Sequence, residues 1–129
     1  MSSSFPRPSI LVADDEPGFR DLFAFALEPL GYRVTLATDG AEAVALAATR
    51  AFDLVVLDHH MPRLNGLDAL GQIKTLIPLM PVVLVSGTTA DRTQLESDVL
   101  GAGGACCLFK PLELEALLDA VKSHLAKEA

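Results

Sequence analysis

The sequence predicts a doubly wound α/β domain on five parallel strands, and three observations carry that prediction. Five short apolar runs begin 22, 22, 28 and 24 residues apart, stretches of helical period separate them, and four of the runs are apolar throughout. Continuous apolarity over four or five residues marks strands buried on both faces, as a parallel sheet covered by helices requires.

The first run, Ile10-Leu11-Val12-Ala13, is the first strand. Phe19, Leu22, Phe23, Ala26, Leu27 and Leu30 follow at i, i+3, i+4, i+7, i+8 and i+11, which is one face of a helix. Gly31 falls where a left-handed turn closes that helix. The second run, Tyr32 to Leu36, alternates apolar with polar, as an edge strand with one wetter face does. Asp39 can cap a second helix through Ala41, Val44, Ala45 and Ala48. Leu54 to Leu57 form the third strand, and a third helix runs from about Leu67 to Thr75. After the fourth strand, Val82 to Val85, Leu95 and Val99 indicate a helix ending near Gly101, Gly103 and Gly104. Cys106 to Phe109 make the last strand, and Leu114, Leu117, Leu118, Val121 and Leu125 the last helix. Strict alternation demands right-handed crossovers, and an edge position for the second strand fits the flavodoxin-like order 2-1-3-4-5, with its switch point between strands 1 and 3.

Composition narrows the function. In 129 residues, half of them apolar, one core can form, and the expected layout is a flexible tail over residues 1–8 and one domain over 9–127. Ten basic residues that never cluster, against seventeen acidic ones, give a net charge of −7 and argue against nucleic-acid binding. No apolar stretch reaches the roughly 18 residues of a membrane span, and residues 1–9 lack a signal-peptide core, so a soluble cytoplasmic protein is expected. Cys106 and Cys107 are chain neighbours, read as free thiols that pack, with a redox role secondary.

The polar residues at the carboxyl ends of the strands form a chemical set: Asp14-Asp15-Glu16, Asp58, Ser86 and Lys110. Strands 1 and 3 are neighbours, so Asp14, Asp15 and Asp58 converge in an acidic pocket. Carboxylates packed together persist where a cation binds or a pKa is shifted. An all-oxygen set points to a hard cation such as Mg²⁺, and zinc is a poor match. With Lys110 and Ser86 added, the pocket suits a phosphoryl group. No phosphate-binding glycine loop follows strand 1, so a nucleotide substrate and an organic cofactor are not expected. The central carboxylate, Asp58, is the candidate nucleophile forming an acyl phosphate, with Ser86 and Lys110 completing the catalytic set.

Four segments, Leu11 to Glu16, Asp53 to Pro62 with Gly66, Val83 to Gly87, and Phe109-Lys110-Pro111, closely resemble the receiver domain of bacterial two-component response regulators. The resemblance spans Ser9 to about Lys127. It implies Mg²⁺-dependent transfer to Asp58 from a histidine kinase or phosphotransfer protein, in a signalling domain that assists its own phosphorylation and dephosphorylation and is not an enzyme. It further implies that Asp15, Asp58 and the main-chain carbonyl of His60 ligate the metal, with Asp14 acting through bound water. Ser86 shifts toward the phosphoryl group in that family, biasing a surface of helix 4, strand 5 and helix 5 toward a downstream protein. A cis peptide is expected at Lys110–Pro111, and a monomer or weak dimer overall.

The match departs at three places. Cys107 stands where the family carries an aromatic residue three positions before the lysine, so the aromatic switch is in doubt. His60 and Thr88 hold positions that tune the lifetime of the acyl phosphate, and a His60 substitution is expected to change dephosphorylation. The long stretch from Ser86 to Lys110, with its glycines, makes helix 4 a candidate for irregularity. Adjacent His59 and His60 read as exposed polar residues. The leading expectation is a single-domain regulator, since few residues follow the fifth helix. Competing readings are a receiver excised from a hybrid kinase or longer regulator, a receiver-fold scaffold that signals without phosphorylation, and a phosphohydrolase using an aspartyl phosphate.

Overall fold

The computed structural model describes residues 7–88 and 90–125. Of the tail expected over 1–8, residues 1–6 lie outside the described residues, as do 126 and 127 at the other end of the expected domain. The elements alternate in the order β1 (Ser9–Ala13), α1 (Pro17–Leu27), β2 (Arg33–Ala37), α2 (Gly40–Thr49), β3 (Leu54–Asp58), α3 (Gly66–Leu76), β4 (Val82–Ser86), α4 (Arg92–Gly101), β5 (Cys106–Phe109) and α5 (Leu114–His124). All four strand pairings are parallel, in the order β2-β1-β3-β4-β5. This is the flavodoxin-like doubly wound sheet with five helices that the spacing predicts.

Side chains alternate across the sheet, so each uniformly apolar strand feeds two cores. Leu11, Val55, Leu57, Val82 and Leu84 pack on one face with α2, α3 and α4 residues such as Ala43, Ile73 and Val99. Ile10, Val12, Leu54, Val56, Val83 and Val85 pack on the other with Phe23 and Leu27 of α1 and Leu117 and Val121 of α5.

Three helices carry the side-chain cap that a helix start favours. Asp39 accepts from the Glu42 N–H, Asn65 from that of Asp68, and Asp91 from that of Gln94. Gly31 adopts φ 94°, the left-handed turn expected of it.

Local details differ from the expectation. The long stripe of α1 is cut short: Pro29 has no N–H to extend the ladder, so Glu28–Leu30 tighten into a 3-10 turn that leaves Leu30 exposed. In α2, Ala41, Ala45 and Ala48 face outward and only Val44 is partly covered; Gly40, Ala43 and Ala47 meet the core instead. A helix this rich in alanine has almost no apolar gradient, and packing decides its phase. α4 is one regular ten-residue helix and not irregular, its Asp91 cap compensating for an apolar face reduced to Leu95 and Val99.

Candidate functional site

Strand register assembles the site. Ala13 lies level with Leu57, so the next residues, Asp14 and Asp58, stand abreast at the carboxyl edge. Asp58 is level with Val85, and Ser86 with Phe109, which puts Lys110 one step beyond Ser86. The Lys110 N–H donates to the Ser86 carbonyl at 2.8 Å, and the Lys110–Pro111 peptide is cis. Gly66 lets the loop after β3 close on this edge. Its N–H donates to the His59 carbonyl at 2.8 Å, and a Cβ there would fall on the Asp58 carbonyl.

Lys110 is the hub of the pocket. Its Nζ lies 3.0 Å from Asp58 Oδ1, 3.5 Å from Asp14 Oδ2 and 3.7 Å from Glu16 Oε1. It also sits 3.9 Å from the centre of the Phe19 ring, a cation–π contact that fixes the ammonium from the α1 side. Asp15, Glu16, Asp58, His60, Gly87 and Lys110 line a small depression of about 330 Å³. A larger open groove of about 710 Å³ along α3 has Asp68 as its one ionisable lining residue and offers no comparable chemistry.

One lysine does not neutralise this many acids. Burial, opposed by the Lys110 hydrogen bond and reinforced by Asp14, pushes the Asp58 carboxyl up to about 6. Asp14 is likewise raised, first by burial, although the Glu16 N–H donates to its Oδ1 at 2.9 Å. Burial pulls the Lys110 pKa down, but its contact with Asp58 and the charges of Asp14 and Glu16 outweigh it, so the ammonium is held more firmly.

The residues fit a hard cation. Asp14 Oδ2 is buried and has no hydrogen-bond partner among the described residues. Carboxylate oxygens of Asp14, Asp15 and Glu16 all lie within 4.8 Å of one another. A buried carboxylate oxygen with only the shared charge of Lys110 near it and no hydrogen bond, beside further carboxylates, is what a divalent ion would satisfy. Neither His59 nor His60 belongs to that oxygen cluster.

Ser86 is fully buried at the end of β4, and Thr88 follows half-buried, its N–H donating to Ser86 Oγ at 3.1 Å. His60 is exposed beside the pocket, its ring centre 4.3 Å from that of His59. His59 corrects the expectation of two exposed histidines: it is half-buried, and its Nδ1 lies 3.0 Å from Ser86 Oγ. Burial, then the charge of His60, lowers its pKa. Cys107 is half-buried against the α4-side core, and burial, with Glu96 nearby, pushes its thiol up to about 11. Cys106 is raised by burial too, so both thiols stay protonated and pack, as their setting in the sequence suggests.

Glu16, Phe19 and His59 carry no role at the site in the sequence reading. Glu16 was visible as the third acid after β1, and Phe19 was absorbed into a helix stripe. His59 needed the register, because it follows Asp58 on the same face as Ser86.

A doubly wound α/β domain with an acidic, lysine-bridged pocket at its switch point defines a class, and comparison with known proteins gives the family. Residues 10–122 match the response regulator receiver domain, and the chain belongs to that family, the signalling receiver domains of two-component systems. The probable transcriptional regulatory protein TcrX of Mycobacterium tuberculosis is 33% identical over 119 residues, covering 92% of this chain and 50% of that protein. The sensor protein EvgS of Escherichia coli is 36% identical over 120 residues, covering 92% of this chain and 9% of its own length. The chain therefore spans half or less of these relatives. A CheY-like receiver domain protein from Methanospirillum hungatei superposes with a TM-score of 0.85 at 27% identity, covering 92% of this chain and 93% of that one. The receiver domain of the Francisella response regulator 1452 gives 0.84 at 31%, covering 91% and 95%.

Proposed function

We propose that this receiver takes a phosphoryl group on Asp58 from a phosphohistidine of a histidine kinase or phosphotransfer protein, and so switches a protein-binding surface. The observation that carries this reading is the 3.0 Å contact of Lys110 Nζ with Asp58 Oδ1 inside a pocket of further carboxylates. A carboxylate oxygen of Asp58 attacks phosphorus, the O–P bond forms, and the P–N bond breaks with its electron pair leaving on the donor imidazole. Lys110, already on Asp58, follows the charge onto the phosphoryl oxygens, and the Ser86 hydroxyl supplies a second donor. Asp15, Asp58 and the His60 carbonyl, with Asp14 through water, would hold Mg²⁺, which when bound would supply positive charge to offset the charge developing in the transfer. His60 and Thr88 flank the pocket and set how long the acyl phosphate survives.

The downstream partner docks on α4, β5 and α5. Cys107 lacks the ring of the family's usual residue, so output runs through the backbone after Ser86. Residues 9–127 act as the switching unit, in the cytoplasm, as a monomer or weak dimer without nucleic acid or membrane. Among the described residues no helix is long and apolar enough to cross a membrane. A regulator and a sensor among the relatives support a place in a histidine-to-aspartate relay.

Borohydride trapping tests the acceptor. After incubation with Mg²⁺ and acetyl phosphate, reduction of the acyl phosphate is expected to leave homoserine at position 58 alone. Homoserine at position 14 or 15, or none in a protein that gained phosphate, would contradict the assignment.

A further inference from the structure

Ser86 has one hydroxyl proton, and its surroundings decide where that proton goes. The side chain is fully buried. Among the described residues its Oγ meets two polar groups, the Thr88 N–H at 3.1 Å and His59 Nδ1 at 3.0 Å. The amide can only donate, and Oγ with its two lone pairs would accept equally from an Nδ1–H, but only donation to His59 Nδ1 gives the buried hydroxyl proton an acceptor among the described residues; that arrangement has the imidazole as the Nε2–H tautomer. The backbone holds this geometry: the His59 N–H donates to the Val85 carbonyl at 2.8 Å, and the His59 carbonyl accepts from Gly66. The ring is also packed against that of His60.

We propose that His59 is a positioning residue, a latch that keeps the switch hydroxyl in its resting place. Resting on the reading of Asp58 as phosphoacceptor, the latch works by exclusion, because a single proton cannot serve His59 and a phosphoryl oxygen together. Phosphorylation offers a charged acceptor that competes with a neutral one, and charged acceptors win. His59 thus sets how strongly the unphosphorylated domain resists the active arrangement. Its place abreast of Ser86 also gives this chain a side-chain contact to the switch residue that Cys107 does not provide.

The test uses beryllofluoride with Mg²⁺ as the phosphoryl mimic, on the whole chain. His59→Leu, which cannot accept, is expected to bind the mimic about fivefold more tightly than wild type, the equivalent of one neutral hydrogen bond. His59→Asn, whose Oδ1 can accept in place of Nδ1, should restore the wild-type affinity. In a Ser86→Ala background, His59→Leu should add nothing. Independently of any variant, ¹⁵N spectra of wild-type His59 should show unprotonated, hydrogen-bonded Nδ1 at rest and a shift of that nitrogen when the mimic binds. A resting Nδ1–H, an unmoved nitrogen at saturation, or the same gain without Ser86 would overturn the latch. If the wild type binds the mimic and His59→Leu binds it no better, only the latch falls. A wild type that takes no mimic overturns the phosphoacceptor reading beneath it.

Discussion

Asp58 sits in a pocket that holds it against its ordinary chemistry. Its carboxyl is raised from 3.8 to about 6, chiefly by burial, with Asp14 adding repulsion and Lys110 relieving part of it. The folded state therefore holds that proton more tightly than the unfolded chain. The sign follows: Asp58 contributes its stability in full below about pH 3.8 and loses it as pH rises through about 6. Without divalent cation, Asp58→Asn should gain on wild type by about 3 kcal/mol between acid and neutral pH in urea unfolding. A gap that stays constant with pH would contradict the account of the pocket. Lys110 joins Asp14, Glu16, Asp58 and the Phe19 ring, so its replacement removes the pocket's cation and one α1 contact together.

Elements matter here through where they end. β1, β3 and β4 each stop being apolar at the carboxyl rim of the sheet, and that interruption is what made Asp14, Asp58 and Ser86 legible in the sequence. Lys110 was legible for the same reason after β5. His59 was not, because its meaning depends on which residue of β4 lies beside it. The phase of α2 was illegible too, since alanine on every side offers no gradient for periodicity to read. The β3–α3 loop carries its own prediction. Gly66 leaves no room for a Cβ between the Asp58 carbonyl and the Leu84 side chain. Gly66→Ala should cost about 2 kcal/mol or more and lower the melting temperature by several degrees. A stability equal to wild type would mean that the loop does not close on the sheet as described.

For the molecule as a whole, strand order could be read because five short apolar-rich runs at regular spacing leave few topologies, and the edge character of β2 selected among them; β5, apolar throughout, is the other edge and only half-buried. The relation between distant residues in the pocket then followed from register. That architecture predicts a linkage: Mg²⁺ in the millimolar range should raise the melting temperature, and Asp15→Ala should abolish the rise, because a ligand of the folded state alone stabilises it. A melting curve indifferent to Mg²⁺ would argue against a cation in the acidic pocket. Phosphorylation of Asp58 itself is tested most directly by the intact mass of the protein after incubation with acetyl phosphate, with and without Mg²⁺, beside Asp58→Asn. Gain of one phosphoryl group by the wild type, with Mg²⁺ and not in the variant, is the predicted result; an equal gain by Asp58→Asn, or none by a folded wild type that binds Mg²⁺, would contradict it.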